Sequence, residues 1–258
     1  MIKKKQLEHS IWGFILGDCL GVPYEFREQG SFKLKEFAEY GTHNQPAGTW
    51  SDDTSLMLCL IDAFENGEFD IEKHKQNLKD FYFRGKYTVD GVFDIGNSTG
   101  EAIASNFIKD CKFEYGNGGL LRCWLLSVLF PNNDELLMNF LKLTHSADAK
   151  MLTAFKHYNS LYQNSHFFNK DLEDFIRENK TLAQIEGTIF NALNIVYNSL
   201  LKGYGVKEVI EQGKDTDSNA AIFGSIFFLT KEVSMRKRIK IRKHEYLDDI
   251  ITKFLSNF

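Results

Sequence analysis

Two short acidic segments constrain this chain more than anything else in it. The first is Gly48-Thr-Trp-Ser-Asp-Asp-Thr54, with two adjacent carboxylates between hydroxyl residues. Apolar residues at helical spacing follow it directly, at Leu56, Met57, Leu60, Ile61 and Phe64. The second is Asp215-Thr-Asp-Ser218, far later in the chain and again ahead of an apolar run. Each puts negative charge at a helix start, where free N–H groups and the helix dipole favour it. Taken singly, each is an N-cap with a well-charged first turn. Taken as a pair, they ask for a scaffold that brings two acidic helix starts together. Asp52, Asp53, Asp215 and Asp217, with the hydroxyls of Ser51 and Ser218, form a hard, oxygen-only donor set. Such a set suits magnesium, manganese or calcium and not zinc or copper. Two clusters of this kind suffice for two ions that share bridging carboxylates. Spacing alone leaves the capping and metal readings open.

The rest of the chain is dominated by helical periodicity, and strand signals are few. Helices are expected over Leu7–Leu20, Ser51–Glu65 with Gly67 as its stop, Ile71–Arg84, and from Ser98, where Glu101 gives capping-box spacing. Further helices are expected over Leu120–Phe130, Asp134–Leu143, Ser146–Leu161 with Ser146 as cap, Leu172–Glu178 and Leu182–Leu201. Val206–Gln212, Ser218–Thr230 and Glu245–Phe258 complete the set. About ten helices with short connections predict an all-α globule rather than a simple bundle. The exception is the stretch from Gly21 to Trp50, whose length without structure marks a functional or mobile loop.

No Pro/Gly/Ser-rich linker divides the 258 residues, so a single domain over 1–258 is expected. With 31 basic and 35 acidic residues the formal charge is −4, which gives no electrostatic case for general nucleic-acid or anionic-membrane binding. The basic run Met235–His244 alternates with apolar residues and reads as a solvated face. Cys19, Cys59, Cys111 and Cys123 are scattered, without metal or redox spacing, and read as small core residues in a reducing compartment. No secretory pattern and no bilayer-length apolar stretch is visible, so a soluble cytoplasmic protein is expected, as a monomer.

Other segments carry weaker signals. Glu114-Tyr-Gly-Asn-Gly-Gly119 precedes a helix, so its backbone N–H groups could hold a phosphate; a flexible loop is the plainer alternative. Arg122 could add charge there or close a salt bridge. Asp94, three residues before Asn97 in a loop between glycines, could orient a water as general base or form an Asx-turn. Glu25 alone is an ordinary surface acid, and His145 alone a structural histidine. The other histidines show no ligand spacing, and no covalent-nucleophile motif is present.

Taken in order, five segments resemble the successive motifs of the ADP-ribosylglycohydrolases of the dinitrogenase-reductase-activating type. They are Gly17-Asp-Cys-Leu-Gly-Val-Pro-Tyr-Glu25, Trp50-Ser-Asp-Asp-Thr54, Gly116-Asn-Gly-Gly-Leu-Leu-Arg122, Thr144-His145 and Asp215-Thr-Asp-Ser-Asn-Ala-Ala-Ile222. The resemblance implies an all-α orthogonal fold with a binuclear magnesium or manganese centre. By motif match, Ser51, Asp52, Asp53, Asp215, Asp217 and Ser218 are metal ligands, and Glu25 is a further ligand or gate. Tyr115, Gly116, Asn117, Gly118 and His145 fall where the family holds the ADP-ribose diphosphate and its surroundings. Asp94 to Asn97 resembles the segment that supplies an acid beside the ribose. The implied activity is removal of ADP-ribose from a modified protein side chain, arginine first. An ADP-ribose-binding module without turnover, or a hydrolase of another ADP-ribose derivative, is the alternative. Four positions depart from the pattern: Ser51 and Ser218 stand where threonine is commoner, Lys214 where glycine is usual, and Leu121 where methionine is usual.

Overall fold

The computed structural model describes residues 3–108, 115–163 and 169–258. Its helices are α1 (Lys4–Gly21), α2 (Asp52–Ile61), α3 (Ile71–Arg84), α4 (Asn97–Ala104), α5 (Gly118–Leu129), α6 (Asp134–Leu141) and α7 (Ala149–Gln163). They continue as α8 (Lys170–Glu178), α9 (Lys180–Ala183), α10 (Ile189–Leu201), α11 (Val206–Ile210), α12 (Thr216–Phe227), α13 (Met235–Arg238) and α14 (His244–Leu255). A two-residue-per-strand hairpin, β1 (Phe64–Glu65) with β2 (Glu68–Phe69), is the only sheet among the described residues. The all-α expectation holds. No helix among the described residues is long and apolar enough to cross a membrane.

Local chemistry explains where the sequence reading misplaced boundaries. The helix from Ser51 stops at Ile61, because Asn66 and Gly67 both take positive φ and form the tight turn of the hairpin. Gly67 is therefore a hairpin residue and not a helix stop. Gly96, not Ser98, is the N-cap of α4, so Ser98 lies inside the first turn. Asp148, not Ser146, caps α7, accepting the Met151 N–H at 2.8 Å. The predicted Leu182–Leu201 helix is broken. Gly187 has φ 76, and the Thr188 hydroxyl accepts the Asn191 N–H at 3.1 Å to start α10 afresh.

The core is drawn from most of the helices, with α5 buried along nearly its whole length as its apolar sequence predicts. Trp124 of α5 stacks on Phe14 of α1 at 5.8 Å between ring centroids. The closest helix pair is α1 with α12. Gly13, Gly17 and Gly21 recur every four residues on one face of α1. A Cβ on Gly17 would lie 2.0 Å from the Ala220 carbonyl oxygen, and one on Gly21 2.4 Å from Cα of Asp217. The two backbones therefore touch, which carries the start of α12 against the end of α1.

The basic run is mostly solvent-facing, as expected, with Arg236, Lys240 and Lys243 exposed, but other cations in it tie neighbouring segments together. Lys237 pairs with Glu36 at 2.6 Å, and buried Arg238 pairs with Glu8 at 3.0 Å beneath its contact with the Trp12 ring. Arg242 pairs with Asp90, and its N–H reaches the Gly48 carbonyl at 2.9 Å. Cys19, Cys59 and Cys123 are buried free thiols, whereas Cys111 and Glu114 lie outside the described residues.

Candidate active site

The first acidic start is held from behind. Asp18, in the last turn of α1, accepts the Ser51 N–H at 3.0 Å and the Thr54 N–H at 3.0 Å. The Ser51 hydroxyl accepts the Asp53 N–H at 3.1 Å. These acceptors satisfy the exposed donors of α2, so the carboxylates of Asp52 and Asp53 are left for other partners. Burial raises the pKa of Asp18 to about 6, against the hydrogen bonds from Thr54 and Ser51, which lower it.

At the second start, Asp215 stands in the N-cap position of α12 but makes no side-chain cap. Its Oδ2 instead accepts the amide N–H of Asn117 at 2.7 Å, across to the glycine loop. Ser218 donates to Asp53 Oδ2 at 2.9 Å. These are not two unrelated caps. The two starts meet, as the pairing of the sequence segments requires.

Glu25 joins them. One carboxylate oxygen from each of Glu25, Asp215 and Asp217 lies within 4.8 Å of the others. Asp217 is 2% exposed and its Oδ1 has no hydrogen-bond partner. A second trio, Glu25, His43 and Asp94, meets the same 4.8 Å limit. Burial, then the charge of Asp217, pushes the Glu25 pKa up to about 12. Burial and neighbouring acids raise Asp52, Asp53 and Asp217 well above the usual carboxylate range, and burial raises Asp215. Buried acids that repel one another, with one oxygen unpartnered, form a donor set able to hold a divalent cation.

The glycine loop is pinned to the turn between α9 and α10. Asn117 N–H reaches the Gly187 carbonyl at 2.8 Å, and Ile189 N–H the Tyr115 carbonyl at 2.9 Å. The Tyr115 hydroxyl donates to Asp148 at 2.7 Å. His145 lies directly under the loop, where a Cβ on Gly116 would come 3.1 Å from its Nε2. Arg122 neither adds surface charge nor closes a salt bridge. It is fully buried and donates to the Phe140 carbonyl, to His74 and, at 2.7 Å, to the Thr144 hydroxyl. That hydroxyl also lies 2.8 Å from His145 Nδ1, a hydrogen bond that orients the ring. Nε2 of His145 is the ring nitrogen beside the glycines. Burial, followed by the Arg122 charge, lowers the His145 pKa to about 3, so the ring is neutral.

All of this opens on one cavity of about 880 Å³. Glu25, Asp52, Asp53, Asp94, Asn97, Tyr115, Gly116, Asn117, Gly118, His145, Asp215 and Ser218 line it. Ser51 and Asp217 are buried behind that surface.

A model of the ADP-ribosylglycohydrolase family matches residues 3–178. The chain belongs to that family. Among its relatives is an ADP-ribosylarginine hydrolase of Pseudomonas putida (strain GB-1), 34% identical over 122 residues, which cover 44% of this chain and 33% of the relative. An ADP-ribosylarginine hydrolase of Serratia proteamaculans (strain 568) is 31% identical over 110 residues, covering 42% and 30%. The aligned part thus spans about a third of either hydrolase. A putative ADP-ribosyl glycohydrolase of Acanthamoeba polyphaga mimivirus is 24% identical over 285 residues, covering 85% of this chain and 84% of its own. A solved structure titled ADP-ribosylglycohydrolase-related protein complex superposes with a TM-score of 0.75 at 18% identity, covering 99% of each chain, and shares the fold.

Within this family fold, sequence reasoning passed over several site residues. Asp18 was visible inside the first motif, but its capping role depends on the α1–α2 packing. His43 stands alone in an irregular segment with no ligand spacing around it. Leu182, Ile185, Glu186, Gly187 and Thr188, which line the cavity, fall within or beside a segment expected to be one continuous helix. The glycine usual at position 214 gains a reason, and Lys214 stands strained: its φ is 66, in the left-handed region that favours glycine.

Proposed function

We propose that this chain hydrolyses the bond between ADP-ribose and an arginine side chain of a modified protein, with two divalent cations, magnesium or manganese. The observation that carries this reading is the meeting of Glu25, Asp215 and Asp217 within 4.8 Å at the floor of a cavity also lined by the glycine loop. About 880 Å³ is ample for a nucleotide-sized ligand. The names of the two arginine hydrolases support the linkage.

Ser51, Asp52, Asp53, Asp215, Asp217 and Ser218 would hold the cations, with Glu25 beside them. When bound, the cations would offset the repulsion among these acids and act as Lewis acids toward ligand oxygens. The chain's own groups do the rest. The backbone N–H groups of the glycine loop offer donors to a diphosphate, with His145 Nε2 beside them. Asn117, fixed by Asp215, and Asn97, at the start of α4, bracket the ligand. Cleavage passes through an oxocarbenium-like state, which surrounding carboxylate charge stabilises. Asp94 takes the proton of the attacking water as the bond from the anomeric carbon to the guanidinium nitrogen breaks, and the arginine leaves as a neutral guanidine that takes up that proton.

The test is release of free ADP-ribose from an arginine-modified peptide with added magnesium or manganese. Asp52→Ala and Asp217→Ala are expected to abolish it, and full activity in either would sink the metal assignment. Release only from a serine-linked substrate would sink the arginine reading.

A further inference from the structure

His43 has no part in the family motifs, yet it stands between two carboxylates of the site. Its Nε2 makes a short hydrogen bond to Glu25 Oε2 and lies 3.5 Å from Asp94 Oδ2. The ring packs against Phe26 at 5.8 Å and Phe93 at 5.4 Å. Phe26 directly follows Glu25, and Phe93 directly precedes Asp94. Each acid therefore arrives with an aromatic neighbour that grips the same imidazole.

The backbone around this contact is held in place. Phe26 has φ 63 and Asp94 φ 52. A bulky aromatic is strained in the left-handed region, and such conformations persist where their surroundings over-determine them. Here the surroundings are specific. Phe26 N–H bonds the Lys214 carbonyl at 2.7 Å, and Lys214 N–H bonds the Arg27 carbonyl at 2.7 Å. The Thr42 hydroxyl, next to His43, donates to the Glu25 carbonyl at 2.7 Å. The loop is thus fastened to Glu25 twice, through Thr42 and through the imidazole.

Glu25 belongs to two trios, one with Asp215 and Asp217 and one with His43 and Asp94. The one imidazole nitrogen of His43 is shared by Glu25 and Asp94 and so ties the second trio to the first.

We propose that His43 is a positioning residue: a single imidazole nitrogen that fixes Asp94 relative to Glu25 and so relative to the acidic cluster. The inference rests on the reading above that Asp94 and Glu25 serve the hydrolysis. His43 acts through those acids and not on the substrate.

The test compares His43→Leu and His43→Gln with the full wild-type chain on an arginine-linked ADP-ribosyl peptide. The Leu variant is expected to lose kcat by about a hundredfold, the scale of an ångström-sized misplacement, with KM within about twofold of wild type. The Gln variant, whose amide N–H reaches a similar place, is expected to recover to within about tenfold of wild type. Wild-type kcat in the Leu variant overturns the proposal. So does a folded Gln variant no better than Leu, because one fixed N–H would then not be what the site needs. A second readout is independent of turnover. The 15N resonances of the His43 ring in the unliganded chain are expected to shift in Glu25→Gln and in Asp94→Asn. Resonances unmoved by both changes overturn the proposal. If the wild type releases no ADP-ribose, the functional reading fails, and the ring spectrum still decides the role of His43.

Discussion

Ser218 donates a 2.9 Å hydrogen bond to Asp53, joining two helix starts 165 residues apart in sequence. The bond serves a buried carboxylate that already repels its neighbours. Ser218→Ala leaves that oxygen with one donor fewer. It is expected to lower unfolding free energy by roughly 1–3 kcal/mol, the cost of leaving a buried polar group short of a partner. Ser218→Thr keeps the hydroxyl and is expected to stay within about 1 kcal/mol of wild type. Urea unfolding in the presence of a chelator measures both.

The buried acids make stability depend on pH. Asp18 has a folded pKa of about 6 against an ordinary 3.8. It holds its proton more tightly folded than unfolded. The stability it adds is therefore complete below about pH 4 and lost as pH rises through about 6. Glu25, Asp53 and Asp217 are displaced in the same direction. In chelator, the melting temperature is expected to fall from about pH 4 to about pH 7, with Asp18 alone contributing roughly 3 kcal/mol. Added magnesium or manganese, by binding the folded acids, is expected to restore it at neutral pH. A calorimetric series over pH, with and without metal, checks both signs.

The α1–α12 seam leaves no room for a methyl group. Gly17→Ala would bring a Cβ to 2.0 Å from the Ala220 carbonyl, a backbone atom that moves only with its helix. A loss of about 3 kcal/mol is expected, at the upper end for overpacking. Any folded fraction is expected to bind ADP-ribose more weakly, because Asp217 rides on the displaced helix. Circular dichroism melts and titration calorimetry provide the two measurements.

Lys214 makes the opposite case. Lys214→Gly relieves a left-handed residue at φ 66 and gives up only a solvent-exposed ion pair with Glu28. Exposed pairs contribute little, whereas the relieved strain is worth about 1 kcal/mol. The variant is expected to be more stable than wild type by up to about that amount, read as a rise in the urea midpoint at unchanged slope.

The helices were legible because their apolar faces repeat at helical spacing, and α3 runs over Ile71–Arg84 as that spacing predicts. The acidic starts were legible because the same chemistry occurs twice. Less visible were features that depend on two segments at once. Asp18 gives no local sign that it will cap a helix beginning at Asp52. The glycines of α1 show their spacing, but only Ala220 and Asp217 reveal what that face must admit. The hairpin was missed because two-residue strands are too short to show alternation, although Asn66-Gly67 is a strong turn signal. Val89, Phe93 and Ile95 gave no pattern that would lead from Asp94 to His43. That link exists only in three dimensions.

The glycine seam also sets an order of events. The Ser51–Asp53 start emerges from the ribosome early, with Asp18 already nearby in sequence and ready to cap it. Its counterpart cannot arrive until α12 has been synthesised and laid against the bare glycine face of α1, a contact of very long sequence separation. Until that docking occurs there is half a cradle, with no floor for a ligand and no reason to gather charge. A chain cut short before α12 would carry the early motifs intact and still lack the site. Competence is thus deferred to a late long-range contact, and the acidic motif in the first quarter of the sequence is incomplete without a helix made near the end.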